Sequence, residues 1–227
     1  MNIVITGASR GIGFETAQLF AKQNHQVFCL TRHTKPLEDL KHQHIHVIAT
    51  DLSNTDSIHQ AVSQILAKVS HIDIVIHNAG SLINKPFENI SYQELEMVYK
   101  INVFAPYFLT QQLLPVLGQA SKTHIVTISS MGGFQGAAKF PGLTAYSSSK
   151  SALVGLTEIL AEELKEKNIS VNCLALGAVQ TEMLAEAFPN YKAPLTPIEM
   201  ATYIYDFALH GAKYFNGKIL PVSSTTP

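Results

Sequence analysis

The stretch NIVITGASRGIG, Asn2 to Gly13, decides the fold. Asn2–Thr6 is an apolar run of strand length, and Gly7, Gly11 and Gly13 follow it as a GxxxGxG pattern that leads into residues of helical character. A strand that becomes a helix through glycines predicts the opening unit of a parallel α/β sheet. Glycines there permit the tight turn and let a pyrophosphate approach backbone N–H groups, while the helix N-terminus favours its negative charge. The spacing differs from the GxGxxG of the standard dinucleotide fingerprint, so the position at the first strand–helix junction carries the reading more than the spacing does.

Further apolar, β-rich runs follow: QVFCLT, IHVIAT, IDIVIHN, THIVTIS, ISVNCLAL and a last one in GKILPV. Runs that are apolar on both faces and separated by helix-length segments describe a parallel sheet covered on both sides. The expected class is a doubly wound, Rossmann-like α/β fold of three layers, with residues 1–227 as a single domain. Helices are expected at about Gly13–Gln23, Ser57–Val69, Ser91–Leu117 and Ala145–Lys167, the third bending at Pro106. Residues 182–198, with Pro189, Pro194 and Pro197, read as an irregular connection and are the expected substrate-covering loop.

Composition narrows the function. Hydrophobic residues make up 46% of the chain and charged residues 15%, with a formal net charge of -1 and no run of like charges. That balance argues against a nucleic-acid surface or a polybasic membrane patch, and for a small-molecule partner. The chain runs from its first residues into a strand without a basic, apolar leader, so a cytoplasmic protein is expected. Cys29 and Cys173 lie inside apolar runs and read as buried structural thiols. His42, His44 and His46 alternate in HQHIHV, but no carboxylate or cysteine stands at ligand spacing, so no metal is expected.

One further stretch asks for a chemical reading: TAYSSSKSALVGL, Thr144 to Leu156. Tyr146 and Lys150 stand four residues apart, so on a helix they share a face. An ammonium about 4 Å from a phenol is worth roughly 4 kcal/mol at an effective dielectric near 20, enough to favour proton release at neutral pH. An exposed helix start with a snorkelling lysine fits the spacing too.

The TGxxxGxG turn, HNAG (His77–Gly80), INV (Ile101–Val103), ISS (Ile128–Ser130) and YxxxK at Tyr146 and Lys150 occur in one order along the chain. Together they resemble the short-chain dehydrogenase/reductase family, and its NADP-dependent 3-oxoacyl reductase-like members in particular. The resemblance implies a carbonyl–alcohol oxidoreductase in which Tyr146 is the general acid or base and Lys150 tunes it and holds the nicotinamide ribose. Ser130 would bond the substrate oxygen, and Asn102 would hold a water that relays protons from Lys150. Cofactor contacts are implied at Gly7, Ser9, Arg10, Gly11, Ile12 and Gly13, at Asp51 and Leu52 beside the adenine, and at Asn78, Ala79 and Gly80. Tyr146, Lys150, Gly177, Val179 and Thr181 would complete them at the nicotinamide end. Asp51 is equally suited to an ordinary turn after a strand. The family also implies a homo-oligomer, dimer or tetramer.

Three departures stand out. The Ser130–Tyr146 interval is about three residues longer than the family's and holds GGFQGAAKFPG, which would reshape one pocket wall and leaves Ser129 open as the substrate serine. Leu176-Gly177 replaces the family's Pro-Gly. The tail GKILPVSSTTP lacks the Val-Asp-Gly-Gly ending, which puts assembly contacts built there in question.

Cofactor choice is read at the end of VFCLTRH. Thr31 stands where an NAD-preferring fold carries an acid for the ribose 2′-hydroxyl, and Arg32 follows it. Arginine offers a donor fork matched to a 2′-phosphate, and Arg10 can close on the same group, so NADP(H) is the expected cofactor. A rival of another class is a non-catalytic dinucleotide-binding regulator on the same scaffold, against which the complete Asn102, Ser130, Tyr146 and Lys150 set argues. An extended-branch epimerase or dehydratase would need a larger C-terminal substrate domain.

Overall fold

The computed structural model describes residues 1–223; the end of the tail, on which the expectation about assembly bears, lies outside them. Seven parallel strands form one sheet: β1 (Asn2–Thr6), β2 (Gln26–Thr31), β3 (Ile45–Ala49), β4 (Ile74–His77), β5 (Thr123–Ser130), β6 (Ile169–Leu176) and β7 (Ile219–Val222). Their order is β3-β2-β1-β4-β5-β6-β7, so the chain reverses direction across the sheet between β1 and β4. In such sheets the crevice beyond the strand ends at the reversal is where ligands bind. Every apolar run of the sequence contributes a strand, within a residue or two at the ends.

The helices are α1 (Gly11–Lys22), α2 (Lys35–Glu38), α3 (Thr55–Leu66), α4 (Tyr92–Tyr99), α5 (Ala105–Leu113), α6 (Thr144–Glu163), α7 (Glu182–Ala187) and α8 (Pro197–His210). Side chains alternate across each strand. Ile3 and Ile5 face the layer of α1 and α8, where Phe20, Ile204 and Phe207 pack. Val4 faces the opposite layer, with Ile58 and Ile65 of α3 and Leu109 and Leu113 of α5. Each fully buried side chain of this size contributes about 1.5–3 kcal/mol, which is why both faces of the sheet must be covered. Cys29 and Cys173 are buried and unlinked, and burial pushes the Cys29 thiol up to about 12. His44 and His46 bond the side chain of Gln26 on neighbouring β2. Among the described residues no group of three His, Cys, Asp or Glu side chains is arranged to hold a metal ion, and no helix is long and apolar enough to cross a membrane.

Two expectations about helices need correction. The predicted Ser91–Leu117 helix is not continuous: α4 gives way to a π-helical turn at Lys100–Phe104 before α5, and Leu114–Val116 winds as a 3-10 turn. The irregularity falls before Pro106, because the proline has no N–H to give the carbonyl of Asn102, the acceptor a regular α-helix would pair with it. The N–H of Ala105 accordingly reaches back five residues to Lys100. The second correction concerns residues 182–198. They are not uniformly irregular: α7 occupies the start, and Pro197 opens α8, at a position where a helix has no use for the missing N–H.

Candidate active site

The glycine turn at the end of β1 is built by close approach. Gly7 has φ +68°, and a Cβ there would fall 2.7 Å from Cα of Ala79, so neither the backbone angle nor the space admits a side chain. Asn78 Nδ2 donates to the carbonyls of Thr6 and Gly7, both at 3.1 Å, and the Ala79 N–H donates to Thr6 Oγ1 at 3.1 Å. The NAG segment thus fastens the turn from behind. Gly13 does not reach the cavity; a Cβ on it would collide with the Asn78 amide and the Gly7 carbonyl, so its part is to let α1 sit tight on the turn. α1 starts at Gly11 without a side-chain cap and without an acid in its first turn. A 12-residue helix that opens uncapped onto a cavity suits an anionic group.

That cavity, of about 480 Å³, lies over the ends of β1, β2, β4, β5 and β6. Gly7, Ser9, Arg10, Gly11 and Ile12 line it at the turn; Arg32, Asp51 and Leu52 line it beyond β2 and β3; Asn78, Ala79 and Gly80 line it after β4. Asp51 is also a turn residue, because its Oδ1 accepts from the Ser53 N–H at 2.9 Å and the Ser53 hydroxyl at 2.7 Å. These bonds, with a smaller contribution from the Arg32 charge, hold its carboxyl below the usual range. Thr31 Oγ1 accepts from the His33 N–H at 3.3 Å, and His33 lines the cavity as well. Arg10 Nη1 lies 3.2 Å from Glu186 Oε1 of α7.

Ser130, Tyr146 and Lys150 line the other half. Ser130 ends β5, and its Oγ accepts from the Gly132 N–H at 3.1 Å, capping the 3-10 turn Met131–Gly133. Ser129 also lines the cavity, but its hydroxyl is buried and committed as a donor to the Lys150 carbonyl at 3.0 Å. Tyr146 stands in the first turn of α6. Burial raises its phenol above the ordinary value, and the Ser130 side chain pulls in the opposite direction. Lys150 is 3% exposed; its Nζ donates to the Ile128 carbonyl at 2.8 Å and sits 5.8 Å from the centre of the Tyr146 ring. Burial brings its ammonium down to about 8. The expectation of a phenol already depressed by its lysine is corrected on this point: burial raises the phenol, the opposing pull comes from the Ser130 side chain, and the ammonium is aimed at a backbone carbonyl. The alternative of a solvated snorkelling lysine fails on the same burial.

Asn102 does not line the cavity. It is fully buried in the π-helical turn, where its Oδ1 accepts from the Ser81 N–H at 2.7 Å and its Nδ2 donates to the Ser81 carbonyl and to Ser149 Oγ, both at 2.9 Å. Ser149 in turn donates to the Tyr146 carbonyl at 2.7 Å. Asn102 therefore clamps the segment after NAG to the first turn of α6. A Cβ on Gly80 would lie 3.5 Å from Lys150 Nζ and 3.7 Å from Asn102 Oδ1, so the two side chains share one neighbourhood behind Gly80.

Gly177, Val179 and Thr181 line the cavity after β6. A side chain at Gly177 has no room beside Ser223, and the Gly177 N–H donates to Val222 at 2.9 Å. Thr181 caps α7 by accepting from the Leu184 N–H at 3.3 Å. The long Ser130–Tyr146 interval supplies Phe140 to the wall, and Leu82, Met183 and Phe188 complete an apolar side that no sequence motif marks.

A family model described as short chain dehydrogenase matches residues 1–192. The chain is 30% identical to the 3-oxoacyl-[acyl-carrier-protein] reductase of Chlamydia trachomatis, over 96% of this chain and 94% of that protein. Among solved structures it resembles the 3-ketoacyl-(acyl-carrier-protein) reductase of Brucella melitensis complexed with NADH, at TM-score 0.88 and 26% identity over 97% and 96% of the two chains. It also resembles a short chain dehydrogenase of Shigella flexneri complexed with NADP, at TM-score 0.86 and 29% identity over 97% and 95%. With its seven-stranded parallel sheet, glycine turn and Tyr–Lys pair on one cavity, the chain belongs to the short-chain dehydrogenase family of oxidoreductases.

Proposed function

We propose that the chain is an NADP(H)-dependent oxidoreductase that interconverts a carbonyl and a secondary alcohol, with Tyr146 as the proton donor or acceptor. The observation that carries this reading is that Ser130, Tyr146 and Lys150 line the same cavity as the glycine turn. A bound nicotinamide dinucleotide supplies or takes up the hydride. Gly7 to Ile12 and the N-terminus of α1 would hold its pyrophosphate, and Gly177, Val179 and Thr181 its nicotinamide end. Tyr146 gives its proton to the substrate oxygen during reduction, and a phenol whose pKa is raised by burial holds that proton until the oxygen becomes basic. Lys150, charged at neutral pH with a value near 8, stabilises the phenolate left behind. Ser130, half-buried at the cavity wall, donates to the same substrate oxygen and stabilises the charge that develops on it. Asn102 acts from behind the wall, holding the first turn of α6 in place through Ser149.

The 2′-phosphate preference rests on charge. The chain has only two arginines, Arg10 and Arg32, and both line this cavity, with no carboxylate at Thr31 to repel a phosphate. The test is to follow NADPH consumption across a panel of ketones and aldehydes. Consumption that depends on the carbonyl compound supports the reading; NADPH that binds yet is consumed with no member of the panel overturns it.

A further inference from the structure

α7 lies against the phosphate end of the cavity with two carboxylates turned towards it. Glu186 Oε1 is 3.2 Å from Arg10 Nη1, and Glu182 Oε2 is within 3.6 Å of where a Cβ on Gly11 would stand, at the first residue of α1. The same C-terminal end of α7 has a second tie, the Asn84 side-chain amide donating to the Ala187 carbonyl at 2.8 Å. Met183, Leu184 and Phe188, on and just after the same helix, line the cavity. The cover and the phosphate end therefore share one guanidinium. The pair is exposed, at 53% for the Arg10 side chain and 68% for that of Glu186, so it is weak, screened by salt and readily exchanged for a better partner.

We infer that Glu186 is a specificity-determining residue, which acts through Arg10 by competing with the cofactor's 2′-phosphate. A dianionic phosphate and a carboxylate seek the same planar donor fork, and one guanidinium cannot give its full set of bonds to both. NADPH must displace Glu186 to use Arg10, whereas NADH, which has no 2′-phosphate, leaves the pair alone. Glu186 thus lowers the selectivity that Arg10 and Arg32 create, and the displacement releases one of two ties at the C-terminal end of α7 while the Asn84 bond to Ala187 remains. The inference rests on the reading that Arg10 contacts the 2′-phosphate.

The test is fluorescence titration of NADPH and NADH into wild type, Glu186→Gln, Arg10→Ala, Arg32→Ala and the Glu186→Gln/Arg10→Ala pair, at low and moderate salt. Glu186→Gln is expected to tighten NADPH by about twofold to fivefold at low salt while leaving NADH unchanged, and to do nothing in the Arg10→Ala background. A purely structural role for Glu186 would move both cofactors together. Equal effects on NADPH and NADH, or no effect on either, overturn the inference while a loss of NADPH affinity in Arg10→Ala or Arg32→Ala leaves the cofactor reading standing. If neither arginine variant weakens NADPH, the cofactor reading and this inference fall together.

Discussion

Two histidines inside the sheet make the fold sensitive to mild acid, and the size of the effect follows from their surroundings. His77, at the end of β4, is 2% exposed; its Nε2 lies 2.8 Å from Thr110 Oγ1, and its Nδ1 is buried without a hydrogen-bond partner. His124, in β5, is also 2% exposed; its Nδ1 donates to the Ala208 carbonyl at 2.9 Å, so its Nε2 must accept from Asn172 Nδ2 at 3.0 Å. A second proton on His124 would set two donors against each other. Burial lowers both residues from 6.5 to about 4. Between those values the unfolded chain binds protons that the folded one does not, so stability is full above 6.5 and falls as pH drops towards 4. At pH 5 each histidine costs about 2 kcal/mol, and the two together about 4 kcal/mol. Urea unfolding at pH 7 and pH 5 measures the difference directly. His124→Gln and His77→Gln should each lower stability at pH 7 and reduce the pH 7 to pH 5 loss by about half. Equal stability of the wild type at the two pH values, or an undiminished loss in both variants, would show that neither histidine is kept neutral by the fold.

Ser130→Ala is expected to lower kcat by about 100-fold or more, as loss of an oxygen-stabilising donor does, while Ser129→Ala costs about 1 kcal/mol of stability and little rate. Steady-state kinetics beside thermal melts check this, and the reverse ranking would make Ser129 the substrate serine. Gly13→Ala should weaken NADPH binding and lower stability by about 1–3 kcal/mol, because its Cβ collides with the Asn78 amide and the Gly7 carbonyl; an unaltered Kd and melting temperature would show that α1 can shift freely. Thr31→Asp combined with Arg32→Ala should move cofactor preference towards NADH by at least about tenfold in paired Kd measurements. No shift would leave Arg32 without a part in the choice.

The strands were legible because the sheet is covered on both faces, which forces runs such as IVI (Ile3–Ile5) and VFCL (Val27–Leu30) to be apolar without alternation. The turn was legible because Gly7 and Gly13 meet backbone that no side chain could approach. The helix α8 carries readable signals too: Met200, Ala201, Ile204, Phe207 and Ala208 follow helical spacing after a Thr196–Glu199 capping box, yet the cluster of prolines before it marks the segment as a loop. What sequence could not show were relations set only by the fold. The partner of Arg10 lies 176 residues away, the aim of Lys150 at Ile128 depends on how α6 docks on β5, and the clamp from Asn102 through Ser149 to Tyr146 depends on a π-helical turn. Nothing local in INV or YSSSK encodes these contacts.

The central claim, that the Tyr146 phenol moves the proton, is tested most directly by Tyr146→Phe, measured once for turnover of a carbonyl compound that the wild type reduces and once for NADPH affinity. The ring and its packing remain and only the transferable proton is lost. Tyr146→Phe is expected to lower kcat by on the order of 100-fold to 10,000-fold, with the NADPH Kd within about twofold of the wild type. Substantial turnover by the Tyr146→Phe protein with that same compound would contradict that claim.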